Sequence, residues 1–196
     1  MSNAKFVLRT IVLSLAGSVL VFVGVGQVLA SEWTVSTTRV IPVSAQQVSA
    51  PVVDMNRWAD WIALEFPLGN PTTREVRGEP GQAGQQILWS GPLGKAAVTL
   101  DAVTADGVDY RIQYGFGSGE EEGTFRAGGK FLGSIQWKAD GDGVAVTWSE
   151  HGEMGSLIER WSNWFGALQD KVHQIQRASL ESLAQHLDAV EAAEGR

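Results

Sequence analysis

Between residues 72 and 151 the chain repeats one pattern: short runs rich in β-branched and aromatic residues, each closed by glycine or aspartate. TREVRG, QQILWSG, AAVTLDAVTAD, GVDYRIQYGF, FRAGGKFLGSIQW and GVAVTWSEH each read as a strand. Apolar positions alternate in Tyr110, Ile112 and Tyr114 and again in Val144, Val146 and Trp148, so one face of each strand belongs to a core. Asp106-Gly107 and Gly141-Asp142-Gly143 supply tight turns, and together the six runs predict an antiparallel meander. Upstream, residues 33–41 (WTVSTTRVI) form a seventh strand that Pro42 stops.

Elsewhere the apolar period changes to helical. Ser44-Ala45-Gln46-Gln47 is a capping box that opens a helix to about Val53, with Val48 and Val52 one turn apart. The segment DMNRWADW (residues 54–61) follows as a second short helix or turn, and its two tryptophans, three apart, fall on one side. From Gly155 to about Val190 apolar residues recur at steps of three and four: Leu157, Trp161, Trp164, Phe165, Leu168, Val172, Ile175, Leu180, Leu183 and Leu187. This spacing predicts one long amphipathic helix, bulkiest near its start. Nothing repeats at 20–50 residues, which excludes solenoids and propellers.

Residues 11–30 (IVLSLAGSVLVFVGVGQVLA) carry no charge and follow Lys5 and Arg9, with no acidic residue among the first thirty. Twenty such residues span a hydrocarbon core, and the basic flank keeps the N-terminus in the cytoplasm. The expectation is a single-pass anchor in the cytoplasmic membrane over residues 1–30, with residues 31–196 as one domain outside. Val28-Leu29-Ala30 before Ser31 also fits a signal-peptidase site, and cleavage at Ala30 would give a secreted or periplasmic form.

The chain has no cysteine, so thiolate ligands, thiol nucleophiles and disulfides are all excluded. Apart from Lys5 and Arg9, every charged residue lies beyond position 30, where 22 acidic residues outnumber the basic ones. That net negative charge argues against nucleic acid and against broad docking on anionic lipid.

One strand, two short helices, six antiparallel strands and a long last helix is an α+β order in which one helix must cover the whole sheet. Residues 40–61, with strand end, proline, capped helix and the pair Trp58 and Trp61, resemble the START-like helix-grip superfamily, also called SRPBCC or polyketide cyclase/dehydrase proteins. The glycine-punctuated loop Gly78-Glu79-Pro80-Gly81-Gln82-Ala83-Gly84 and the Val146-Thr147-Trp148 strand before an aromatic-rich helix are similar too. The resemblance covers about residues 33–190. It implies a helix-grip fold, with a curved seven-stranded antiparallel sheet around the C-terminal helix, and a hydrophobic cavity for lipid-like or polycyclic ligands. It fixes no reaction, and it includes membrane-anchored members.

One sheet face must point at the gripped helix, and its uncovered part becomes a pocket under the short helices. The expected ligand-binding residues are Trp58 and Trp61 from the short helix, Trp89, Tyr110, Ile112 and Tyr114 from strands, and Trp161, Phe165 and Leu168 from the last helix. The function expected is that of a monomeric, extracytoplasmic binding protein for a hydrophobic small molecule or lipid, with neither cofactor nor metal. A cyclase or dehydrase without metal, using Glu150, His151 or Tyr110 to move protons on a polyketide-like substrate, is the alternative from another class; an envelope module that binds another protein is a third. Arg39 and Arg111, charged within strands, are candidates for meeting an anionic head group. His173 and His186 fall on the polar side of the last helix, Ser90–Gly94 reads as a hairpin loop, and Glu120-Glu121-Glu122 reads as a solvated loop.

Overall fold

Alternating side chains commit one face of a sheet to the core. The computed structural model describes residues 2–62, 64, 70, 72–116 and 130–194. Seven strands pair antiparallel: β1 (Glu32–Ile41), β2 (Thr73–Arg77), β3 (Gln86–Gly91), β4 (Gly94–Val103), β5 (Gly107–Phe116), β6 (Lys130–Asp140) and β7 (Gly143–Glu153). Their order across the sheet is β1-β7-β6-β5-β4-β3-β2, a meander that brings the first strand beside the last. All six predicted runs and the upstream strand are present; residues 125–129 of the run leading into β6 lie outside the described residues. Gly91 pairs with Gly94 and Asp140 with Gly143, so two-residue turns close both hairpins, the former at the predicted Ser90–Gly94 loop.

Ser44 opens α2 (Ala45–Val53) with the expected capping box, its hydroxyl accepting from the Gln47 N–H. Val48 and Val52 are fully buried. A 3₁₀ helix, Met55–Asp60, carries Trp58, and Trp61 follows as its C-cap. Against the sheet lie Leu180, Leu183, Ala184 and Leu187 of the last helix, in one core with the tryptophans and the inward residues of β3–β7. The result is a helix-grip α+β fold, a curved sheet around the C-terminal helix.

The single long last helix is corrected to two, α3 (Leu157–Trp164) and α4 (Ala167–Glu194). The apolar period runs on across the break, so periodicity cannot reveal it. Gly166 does: its φ of 75° is left-handed, its N–H donates to the Asn163 carbonyl at 2.8 Å, and its own carbonyl accepts from the Asp170 N–H at 2.9 Å. One glycine thus separates the end of α3 from the start of α4. At the other end, α1 (Ser2–Val28) is an apolar helix whose span Phe6–Val28 has mean hydropathy 2.3 and is exposed except at Gly26. It begins earlier than the expected residue 11, because Phe6, Val7 and Leu8 extend the apolar run through the basic flank.

Candidate functional site

The short helix is fixed from two sides. Asp54 Oδ1 accepts from the Asn56 N–H at 2.9 Å, from the Asn56 side chain at 2.8 Å and from Gln85 Nε2 at 3.1 Å. Burial draws the Asp54 carboxyl up, but those donors and the nearby Arg57 charge hold it below the usual range. Gln85 is fully buried, and its Oε1 accepts from the Met55 and Gly81 N–H groups at 3.1 and 3.0 Å. It thereby ties the tryptophan helix to the glycine loop.

In a 3₁₀ helix positions i and i+3 eclipse, so Trp58 and Trp61 share a side. Both rings are buried, and their indole N–H groups donate to the Val52 and Pro51 carbonyls at 2.8 and 3.2 Å. Those carbonyls belong to the last turn of α2, where the helix ladder leaves acceptors free. The rings then meet the sheet edge-on, Trp58 on Tyr110 at 5.6 Å and Trp61 on Trp148 at 6.0 Å.

Beneath them Tyr110 on β5, Gly133 on β6 and Glu150 on β7 stand in one transverse row. Two strand spacings separate the outer pair, roughly 9.5 Å. Tyr110 crosses this distance because its ring lies over Gly133, where an added Cβ would come 2.2 Å from the ring's Cζ. The phenol donates to Glu150 Oε1 at 2.5 Å and accepts from Trp148 Nε1 at 2.5 Å. Burial pushes the Glu150 carboxyl above its ordinary range, partly offset by the hydrogen bonds from Tyr110 and Trp148. Burial, and then the Glu150 charge, raise the Tyr110 phenol.

Two buried donors have no partner among the described residues. One is Trp33 Nε1, whose residue pairs with Gly152. The other is Gln176 Nε2, whose Oε1 accepts from Thr37, the register partner of Trp148. A buried carboxyl with raised proton affinity, hydrogen-bonded to a phenol, is the kind of pair able to exchange a proton.

Trp58 also lines a cavity of about 180 Å³ together with Trp89, Ile87, Ile62, Leu64, Ala59 and Arg74. Arg74 is exposed and its guanidinium reaches back to the Met55 carbonyl at 3.3 Å. Trp58 therefore touches both this cavity and the Tyr110 ring.

Trp58, Trp61, Trp89, Tyr110 and Ile112 fall in one core cluster, and half-buried Tyr114 packs against it. Leu168 belongs to a second, smaller cluster with Trp33, Val35, Met154 and Val172. Trp161 and Phe165 stand apart from both: Trp161 stacks on Phe22 of α1 at 5.2 Å, and Phe165 is 74% exposed. The turn at Gly166 separates their helix from the one the sheet grips.

Tyr110 and Glu150, proposed from sequence as acid/base groups, are brought together. His151 is not; as the next residue on β7 it projects to the opposite, exposed face. Arg39 pairs with Glu181 of α4 and Arg111 with Asp101 of β4, so neither is a free cation. His173 is exposed, with Nδ1 3.1 Å from Thr37 Oγ1, whereas His186 is half-buried with Nε2 unpartnered among the described residues, which corrects its solvated reading. Glu120–Glu122 lie outside the described residues. Among the described residues no three His, Cys, Asp or Glu side chains are grouped to hold a metal ion. Gln85, Gln176 and Trp33 were not singled out by the sequence; for Gln85 the only signal is its place after the glycine loop.

A curved sheet gripping a C-terminal helix, with an aromatic lid over a buried polar pair, defines a START-like protein. Residues 32–188 match the sequence profile of the polyketide cyclase / dehydrase and lipid transport family, and the chain belongs to that family. Solved structures share the fold: a Nitrosospira multiformis protein (18% identity, TM-score 0.52, 79% of this chain and 96% of that one) and the Chromobacterium violaceum protein CV1439 (13%, 0.50, 79% and 96%). DynU16, from the dynemicin biosynthetic locus, is similar at 14% identity and TM-score 0.51, over 79% of this chain and 47% of its own. No curated protein matches the sequence.

Gly133→Ala is expected to lower stability by about 1–3 kcal/mol in chemical denaturation, because its methyl displaces the Tyr110 ring. In a Tyr110→Ala background the same change should cost under about 0.5 kcal/mol; equal costs in both would contradict the crossing. A carboxyl whose folded pKa is raised contributes stability below its unfolded pKa and loses it as pH rises through the folded one. The melting temperature of Glu150→Gln relative to wild type should therefore climb as pH rises through and above the ordinary carboxylate range, then level off. A difference that falls with pH would reverse the sign.

Proposed function

We propose that the chain is a tethered binding protein for a hydrophobic small molecule or lipid. Residues 1–30 hold it to the cytoplasmic membrane, and residues 31–196 act as one ligand-binding domain outside the cytoplasm, working as a monomer. The observation that carries this reading is the aromatic-walled cavity at Trp58 and Trp89, backed by the Tyr110–Glu150 pair. Apolar burial at about 25 cal/mol per Å² supplies affinity without any reaction, and the few polar groups select the ligand. At about 180 Å³ the cavity is smaller than the ~300 Å³ of typical ligand sites, so it seats one end of a ligand rather than the whole. The family's description, which includes lipid transport, and the apolar α1 support the same reading.

A second reading is favoured by one specific feature. The raised Glu150 carboxyl, hydrogen-bonded to Tyr110, is built as a metal-free acid/base group would be. In a cyclase or dehydrase it would move a proton. Glu150→Gln separates the readings, since it removes proton transfer and leaves apolar binding in place.

An environment-sensitive hydrophobic dye should bind saturably and change tryptophan fluorescence. Ala59 lines the cavity from an exposed position, so Ala59→Trp should fill it and weaken dye binding at least tenfold while shifting stability by no more than about 0.5 kcal/mol. No saturable binding to wild type, or undiminished binding to Ala59→Trp, would remove this cavity as the site.

A further inference from the structure

Helix α3 carries its largest apolar side chains outside both cores. Ile158 and Phe165 are each 74% exposed and Trp164 is 66% exposed, and Trp161 lies between Ile158 and Phe165 at steps of three and four. A soluble domain gains nothing from such a strip. Its polar end is held instead: Ser156 and Glu159 form the capping box, and Arg160 reaches back to the Met154 carbonyl at 3.4 Å.

This strip is continuous with α1. Trp161 Nε1 donates to the Phe22 carbonyl at 3.1 Å, its ring stacks on the Phe22 ring, and Arg160 Nη1 reaches the Gln27 carbonyl at 3.4 Å. The approach is close at Gly26, where a Cβ would lie 3.0 Å from both Leu157 Cδ2 and Trp161 Nε1. Beside Trp161 an apolar groove of about 470 Å³ runs down α1 past Phe22, Val21 and Ser18 to Gly17.

The depth follows from helix geometry. Phe22 is one and two-thirds turns before Val28, the last residue of the apolar span, so at about 1.5 Å rise per residue Trp161 meets α1 roughly 9 Å inside its outer end. Helices lying in a bilayer interface bury their apolar face about 5–10 Å deep, and tryptophan concentrates at that level.

We propose that α3 lies in the outer interface of the membrane that α1 crosses, with Ile158, Trp161, Trp164 and Phe165 among the lipids and an acyl chain seated in the groove along α1. This rests on the tether reading of α1. Its consequence is a fixed posture: α4 leaves Gly166 at the membrane surface, and the cluster of Trp33, Met154, Leu168 and Val172 stands next to the bilayer.

Single-cysteine labelling is clean because the chain has no cysteine of its own. Full-length protein recovered with the membrane fraction would be spin-labelled as Phe165→Cys, Ile158→Cys, Leu13→Cys or Asp106→Cys and placed in phosphatidylethanolamine/phosphatidylglycerol vesicles. Oxygen and nickel-chelate accessibility then give depth. Labels at 165 and 158 should read about 5–10 Å below the phosphates, that at 13 deep in hydrocarbon and that at 106 in water. With 13 in hydrocarbon, labels at 158 and 165 in water overturn the proposal and leave the tether standing. Labels at 165 shielded from both reagents and broadened by each other show a second copy on the strip, which also overturns it. A label at 13 in water, or a soluble chain beginning at Ser31, overturns the tether and the proposal together.

Discussion

The Tyr110–Glu150 hydrogen bond is the constraint on which the interior depends. A carboxyl in an aromatic core is costly unless its oxygens are satisfied, and only a side chain able to cross a whole strand brings a phenol to it. That crossing needs Gly133 in the middle, Trp148 to donate to the phenol, and a lid that excludes water. Trp58 and Trp61 are that lid, each edge-on to one member of the network. Their own N–H groups are satisfied by the last turn of α2, so closing the core leaves no indole donor of the pair unpaired. The helix end, the lid and the polar row form one connected arrangement, and buried Gln85 locks it to the glycine loop.

The parts legible in the sequence are those set by local physics. Strand alternation gave all seven strands and the buried face of Tyr110 and Ile112, and the Ser44 box gave the start of α2. Spacing by three put the two tryptophans on one side. The break at Gly166 stayed hidden because the apolar steps continue through it, so only backbone dihedrals distinguish one helix from two. Glu150 and Tyr110 are forty residues apart, and nothing short of register aligns them through Gly133. Gln85 braces a helix thirty residues upstream, which no local pattern encodes. Simple alternation does separate His151 from Glu150, since neighbours on a strand face opposite ways.

Beyond the sheet, Trp161 stacks on Phe22 of α1 and Phe165 is exposed. The molecule has two apolar surfaces, an inner one around Trp58 and Trp89 and an outer one beside the apolar helix.

The central claim is that the interior is organised by a buried carboxyl held through Tyr110. Carbon-13 NMR of glutamate side-chain carboxyls, with Glu150 assigned by its loss in Glu150→Gln, measures it directly. Burial places its midpoint above the ordinary glutamate value, and removing the phenol in Tyr110→Phe should raise it further, because that hydrogen bond favours the charged form. A midpoint at or below the ordinary value, or one that Tyr110→Phe leaves unmoved, would contradict the account.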